Sequence, residues 1–184
     1  EDELARGVAE GVRQYVVLGA GLDTFAYRNP CPDRLQRVFE VDHPGTQRWK
    51  QQLLADAGIG VPPSLSFVPA DFEHDDVGQE LVRAGFRQDQ PAFVSWMGVT
   101  PYLTADAVLG TLRTLAGFAA GSRVCFDHRV TVGLLGAVER VINEQMAQQA
   151  AAAGEPWLSA YDPADLQRQL LGIGFATATS VSPD

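Results

Sequence analysis

The chain has 184 residues, enough for one domain with a substantial core, and its 46% hydrophobic and 20% charged residues are ordinary globular values. Lys and Arg number 14 against 23 Asp and Glu, a formal charge of −9 with no basic block, which argues against nucleic acid or an anionic membrane as a partner. Cys31 and Cys125 are too few and too far apart for a disulfide framework or a metal site, no apolar run reaches ~18 residues and the first residues are acidic, so a cytoplasmic protein without membrane span or signal peptide is expected.

Taken in chain order, Leu4, Val8 and Val12 recur at helical spacing and predict a helix over Asp2–Val12. The apolar run after Gln14 ends in Gly19-Ala20-Gly21, as a buried strand entering a tight turn does. Thr24–Tyr27 predicts a short helix stopped by Asn29-Pro30 and Pro32. A second strand, Arg37–Asp42, precedes Pro44, which suits the first turn of a helix running through Gln47–Ala57 to Gly58. Leu65–Pro69, Ala92–Met97 and Arg123–Phe126 are three further strands. Helices are expected at Asp75–Ala84, at Ala105–Ala119 behind the cap Thr104, over Leu134–Ala153 and over Pro163–Leu171. Phe175–Val181 leans towards strand. Trp49 and Trp96 read as packing residues, as do Leu134, Val138 and Met146.

Strands alternating with helices over 1–184 predict a single α/β domain: a Rossmann-like, doubly wound, mostly parallel sheet with helices on both faces. Right-handed crossovers bring all strand ends to one edge, where open α/β sheets bind ligands. That edge collects Gly19–Gly21, Asp42, Asp71, Met97-Gly98 and Asp127-His128. Asp42 follows Gly21 by 21 positions, near the ~20-residue offset at which an acid meets a ribose diol. An ionised carboxylate only accepts hydrogen bonds, and a diol supplies the donors. Asp71 is placed to accept from an adenine amine, with Phe72 against the base, whereas Asp75 and Asp76 read as a helix cap and a loop charge.

Two cofactor classes compete for such a pocket. Thr24 stands where the third glycine of a dinucleotide fingerprint belongs, and Asp23 in the turn repels a pyrophosphate. S-adenosyl-L-methionine carries a sulfonium and an ammonium at that end and fits the acid better.

The segments LGAGLDTFAYR and VFEVDHPGTQRWK, followed by FVPADFEHDD and SWMGVTPYLT, resemble the leucine carboxyl methyltransferase-like family of class I S-adenosylmethionine-dependent methyltransferases, over about Gln14 to Leu103. That family includes bacterial and polyketide O-methyltransferases. The resemblance implies that Gly19, Ala20 and Gly21 line the methionine portion, that Asp42, flanked by His43, holds the ribose, and that Asp71 and Phe72 hold the adenine. Met97 and Gly98 occupy its fourth motif, with Met97 where the family often has an acid. The family's longer N-terminal cover and its last strand have no counterpart in this sequence, which reads either as a fragment or as a reduced protein whose copies associate to complete the exposed edge.

The expected activity is O-methyl transfer to a carboxylate or hydroxyl of a small molecule. A carboxylate needs no general base; for a hydroxyl, His128 is the best placed of the three histidines, with Tyr102 and Arg129 as positioning candidates. The region Leu134–Ala153, with Trp157 and Tyr161 after it, is where a substrate lid would lie. Two other readings stay open: a non-catalytic scaffold of the same fold, and a nicotinamide-dependent oxidoreductase.

Overall fold

A computed structural model of the chain describes residues 1–181. Those residues form two compact units, one of Glu1–Met97 with Phe118–Phe126, the other of Gly98–Gly117 with the segment from Asp127 onward.

The first unit is built on a sheet of five parallel strands, β1 (Gln14–Leu18), β2 (Arg37–Asp42), β3 (Leu65–Pro69), β4 (Ala92–Trp96) and β5 (Arg123–Phe126), in the order β3-β2-β1-β4-β5. This is the Rossmann-like, doubly wound α/β fold. The order reverses beside β1, so the switch point lies at the ends of β1 and β4. β1 is buried along its whole length, which explains its unbroken apolar run in place of alternation. Around it sits a core of Leu4, Val8, Tyr15, Val17, Phe25 and Phe93, in which the Tyr15 and Phe25 rings meet edge to face at 4.9 Å.

Helix α1 (Asp2–Ala9) turns Leu4 and Val8 into that core and ends three residues before its expected stop. Val12 N–H instead bonds back to Gly7 O at 2.9 Å to launch β1. The segment after the glycine turn makes only a 3-10 turn, Phe25–Tyr27. Helix α2 (Pro44–Asp56) starts where Pro44 predicts, capped by His43 Nδ1, which accepts from Gly45 N–H at 3.1 Å. Helix α3 (Val77–Arg83) is capped by Asp76, so that acid has the bland role expected of it. Trp96 is fully buried, but Trp49 is 55% exposed and is not a packing residue.

The second unit holds α4 (Ala105–Ala116), α5 (Ala137–Ala152) and α6 (Pro163–Ile173), with α4 packed against α6. Thr104 caps α4 and Asp162 caps α6, both through side-chain oxygens. The helix expected from Leu134 begins only at Ala137, Leu134 closing a 3-10 turn before it, and among the described residues α5 buries no side chain: Leu134, Val138 and Met146 are 56%, 73% and 51% exposed, so they are not core. Phe175–Val181 is not a strand either. Its β-prone residues find no ladder, and Gln167 Nε2 donates to Ala178 O, tying the segment to α6.

Candidate functional site

The glycine turn and the end of β2 are one hydrogen-bonded construction. Gly19 and Ala20 N–H both donate to Val41 O, at 2.8 and 3.1 Å. Gly21 N–H donates to Asp42 Oδ2 at 2.5 Å, and His43 N–H to Asp42 Oδ1 at 2.6 Å. The carboxylate that the sequence places 21 residues after Gly21 therefore meets it directly. Gly19 and Gly21 have φ of +66° and +46°, the left-handed region that side chains avoid. A Cβ built on Gly21 would meet nothing within 4 Å, so conformation demands glycine there while the space beside it stays open for a ligand.

A carboxylate has about four acceptor positions, and the backbone uses one on each oxygen of Asp42. One lone pair per oxygen remains, which suits a vicinal diol. At the end of β3, Asp71 Oδ1 accepts from Glu73 N–H at 3.0 Å and Oδ2 lies 3.1 Å from His74 Nδ1. The Glu73 amide, followed by His74, holds the Asp71 carboxyl below its ordinary pKa. Phe72 packs against Trp96, ring centres 5.7 Å apart.

Next to the turn, within the same unit, lies a cavity of about 630 Å³. Glu1, Asp2, Glu3 and Asp23 contribute acid, Tyr15 and Ser95 contribute hydroxyls bonded to each other at 2.8 Å, and no Lys, Arg or His lines it. Exposed Met97 closes one side without charge. Glu1 is paired with Arg28 and Glu3 with Arg6, both in solvent. Asp2 and Asp23, in no ion pair among the described residues, leave the cavity a negative sign that suits a sulfonium and an ammonium better than a pyrophosphate.

Sequence reasoning missed what holds the turn from behind. Glu40, in mid-β2 and 1% exposed, pairs with Lys50 of α2 at 2.6 Å, and Lys50 Nζ also donates to Asp23 O in the turn at 2.6 Å. Burial raises the Glu40 pKa and Lys50 opposes that shift. The available signal was an acid flanked by Val38, Phe39 and Val41 in a buried strand, which requires a countercharge. Beside it, burial and then the Glu40 charge push the Tyr27 phenol up to about 12.

Gly98 and His128 belong to the second unit. Gly98, at φ +73°, donates its N–H to both Asp127 oxygens at 2.9 and 3.0 Å, and Thr100 Oγ1 donates to Asp127 O at 2.7 Å. His128 Nδ1 lies 3.2 Å from Arg129 O, and its ring meets that of Tyr161 edge to face, centroids 6.1 Å apart.

The sequence profile of the leucine carboxyl methyltransferase family matches residues 1–116. The Bacillus subtilis protein YktD, which carries the provisional name of an S-adenosyl-L-methionine-dependent methyltransferase, is 37% identical over 177 residues, covering 95% of this chain and 57% of the relative. A Frankia alni protein of the same provisional name is 36% identical over 180 residues, covering 97% and 59%. The chain thus spans somewhat more than half the length of these relatives. Among solved structures, a methyltransferase-like protein of Thermobifida fusca superposes with a TM-score of 0.63 at 24% identity, covering 91% of this chain and 63% of that one. Human N-acetylserotonin methyltransferase, solved with its S-adenosylmethionine, superposes with a TM-score of 0.57 at 13% identity, covering 92% and 45%. These likenesses show the fold. Together with the profile match over most of its length, they lead to one assignment: the chain belongs to the leucine carboxyl methyltransferase family.

Proposed function

We propose that this chain is the cofactor-binding part of an S-adenosyl-L-methionine-dependent O-methyltransferase acting on a carboxylate or hydroxyl of a small molecule. The observation that carries the reading is the Asp42 carboxylate, bonded to Gly21 N–H and retaining an acceptor position on each oxygen for a ribose. The relatives' names point to the same cofactor.

When bound, the cofactor supplies a methyl group on a sulfonium, ready for in-line displacement. The chain's residues then align and seal. Gly19–Gly21 admit the methionine portion, Asp42 and the flanking His43 hold the ribose, and Asp71 with Phe72 holds the adenine. Met97 and Gly98 contribute shape more than charge. The bonded Tyr15–Ser95 pair gives the cavity a neutral polar wall. A carboxylate acceptor needs no base; for a hydroxyl acceptor, His128 is the residue we assign as the base. Alignment and exclusion of water supply most of the acceleration of such a displacement.

The test is an Asp42→Ala variant assayed for binding of S-adenosylmethionine beside the parent chain. Loss of at least about 100-fold in affinity is expected, the scale of two charge-assisted hydrogen bonds. Unchanged affinity would refute the reading.

A further inference from the structure

Among the described residues none neutralises the cation of Arg129, in the second unit. Its guanidinium lies over the Trp157 ring at 4.0 Å, and Nη2 donates to the neutral Asn143 Oδ1 at 2.8 Å. Nε is buried and has no partner. Among the described residues Arg129 forms no ion pair, whereas the arginines that do are solvent-exposed. Burial lowers its pKa, yet a guanidinium stays ionised, so the desolvated charge persists.

The strand-like segment carrying Arg129 is fixed by backbone pairing with Tyr161. Tyr161 N–H donates to Arg129 O at 2.8 Å and Thr131 N–H to Tyr161 O at 3.0 Å, around the parallel bridge of Val130 with Tyr161. Tyr161 is 7% exposed and its hydroxyl closes no hydrogen bond. Burial pushes this phenol up and the neighbouring Ser159 opposes that shift, while the Ser159 hydroxyl donates to Thr100 O at 2.7 Å. Tyr161 is in register with Val130 and its ring meets His128 edge to face, so its hydroxyl stands on the other face from Arg129, and the stacked guanidinium alone is the donor group for an oxyanion.

We propose that Arg129, stacked on Trp157, is the recognition point for an oxyanion group of a ligand bound by the second unit, with Asn143 holding the place of the acceptor that the ligand supplies. The planar fork favours a carboxylate, read bidentately, over a phosphate. In its biological role this rests on the methyl-transfer reading: the acceptor carries an anionic handle distinct from its methylated oxygen, because a carboxylate clamped by a guanidinium has its lone pairs engaged and is a poor nucleophile.

The experiment follows the Arg129 Nε–H signal by ¹H–¹⁵N NMR of the full chain, without cofactor, during titration with benzoate, inorganic phosphate and the neutral analogue benzamide. A saturable shift with benzoate and none with benzamide is expected; saturation by phosphate alone identifies a tetrahedral oxyanion as the ligand and keeps the site. Asn143→Asp, which supplies an internal countercharge without disturbing shape, should weaken benzoate at least tenfold. Equal shifts with benzamide, no saturable shift with either anion, or undiminished affinity in Asn143→Asp would overturn the proposal. Failure of S-adenosylmethionine to bind Asp42 would leave this titration unaffected, so the two readings fail separately.

Discussion

The two units handle a desolvated cation in opposite ways. In the sheet unit, Lys50 is 4% exposed and meets both a carboxylate and a backbone carbonyl, so its charge is cancelled within the fold. In the second unit, Arg129 is stacked on an aromatic ring and offered only an amide oxygen. The first arrangement ties the glycine turn to β2 and α2 and sets the pocket's shape before any ligand arrives. The second leaves an electrostatic debt that a ligand can settle. A cation matched inside the chain points to architecture, and one left unmatched points to recognition.

The sharpest way to break that contrast is Lys50→Met. Removing one partner strands Glu40 as a buried, uncompensated charge, and a loss of about 3–5 kcal/mol in urea unfolding is expected. The double variant Glu40→Gln, Lys50→Met should recover most of it, since both charges go together. If the single variant is as stable as the parent, the pair is not holding the turn.

A smaller effect comes from Tyr27, whose hydroxyl is buried without a partner. Its pKa in the fold is raised to about 12 from the model-compound value of 10.0. The unfolded chain therefore ionises first, so the contribution of this group is complete below pH 10 and is lost as pH rises towards 12. The shift corresponds to about 2–3 kcal/mol. Tyr27→Phe should flatten this part of the alkaline stability profile, and an identical profile in both proteins would show that the phenol does not feel the Glu40 neighbourhood.

The smallest effect should be at Arg129. With no ion pair among the described residues to lose, Arg129→Gln is expected to cost no more than about 1 kcal/mol, the scale of its contact with Trp157. A loss comparable to that of Lys50→Met would erase the contrast between the two cations and make Arg129 an architectural residue.

How far the sequence alone reached follows from the same physics. The strands Arg37–Asp42, Leu65–Pro69 and Arg123–Phe126 were legible to the residue because each is a short apolar run bounded by Gly, Pro or charge. Asp42 was legible because the β-strand–turn–strand spacing ties it to Gly21, and the 2.5 Å bond between them is that spacing made physical. Phe175–Val181 misled because strand propensity is realised only against a partner strand, and Gln167 claims its backbone instead. Val138 and Met146 misled because helical periodicity reports an apolar face without saying what covers it. The Glu40–Lys50 pair lay ten residues apart in plain view; only the strand's complete burial shows that the two must meet.

The most direct measurement of the central claim is calorimetric titration of the chain and of its Asp42→Ala variant with S-adenosylmethionine, S-adenosylhomocysteine and NADH. Saturable binding of the first two to the parent, its loss in the variant and no binding of NADH is the predicted result. Binding that survives in the variant, or NADH in place of the methionine-derived pair, would contradict it.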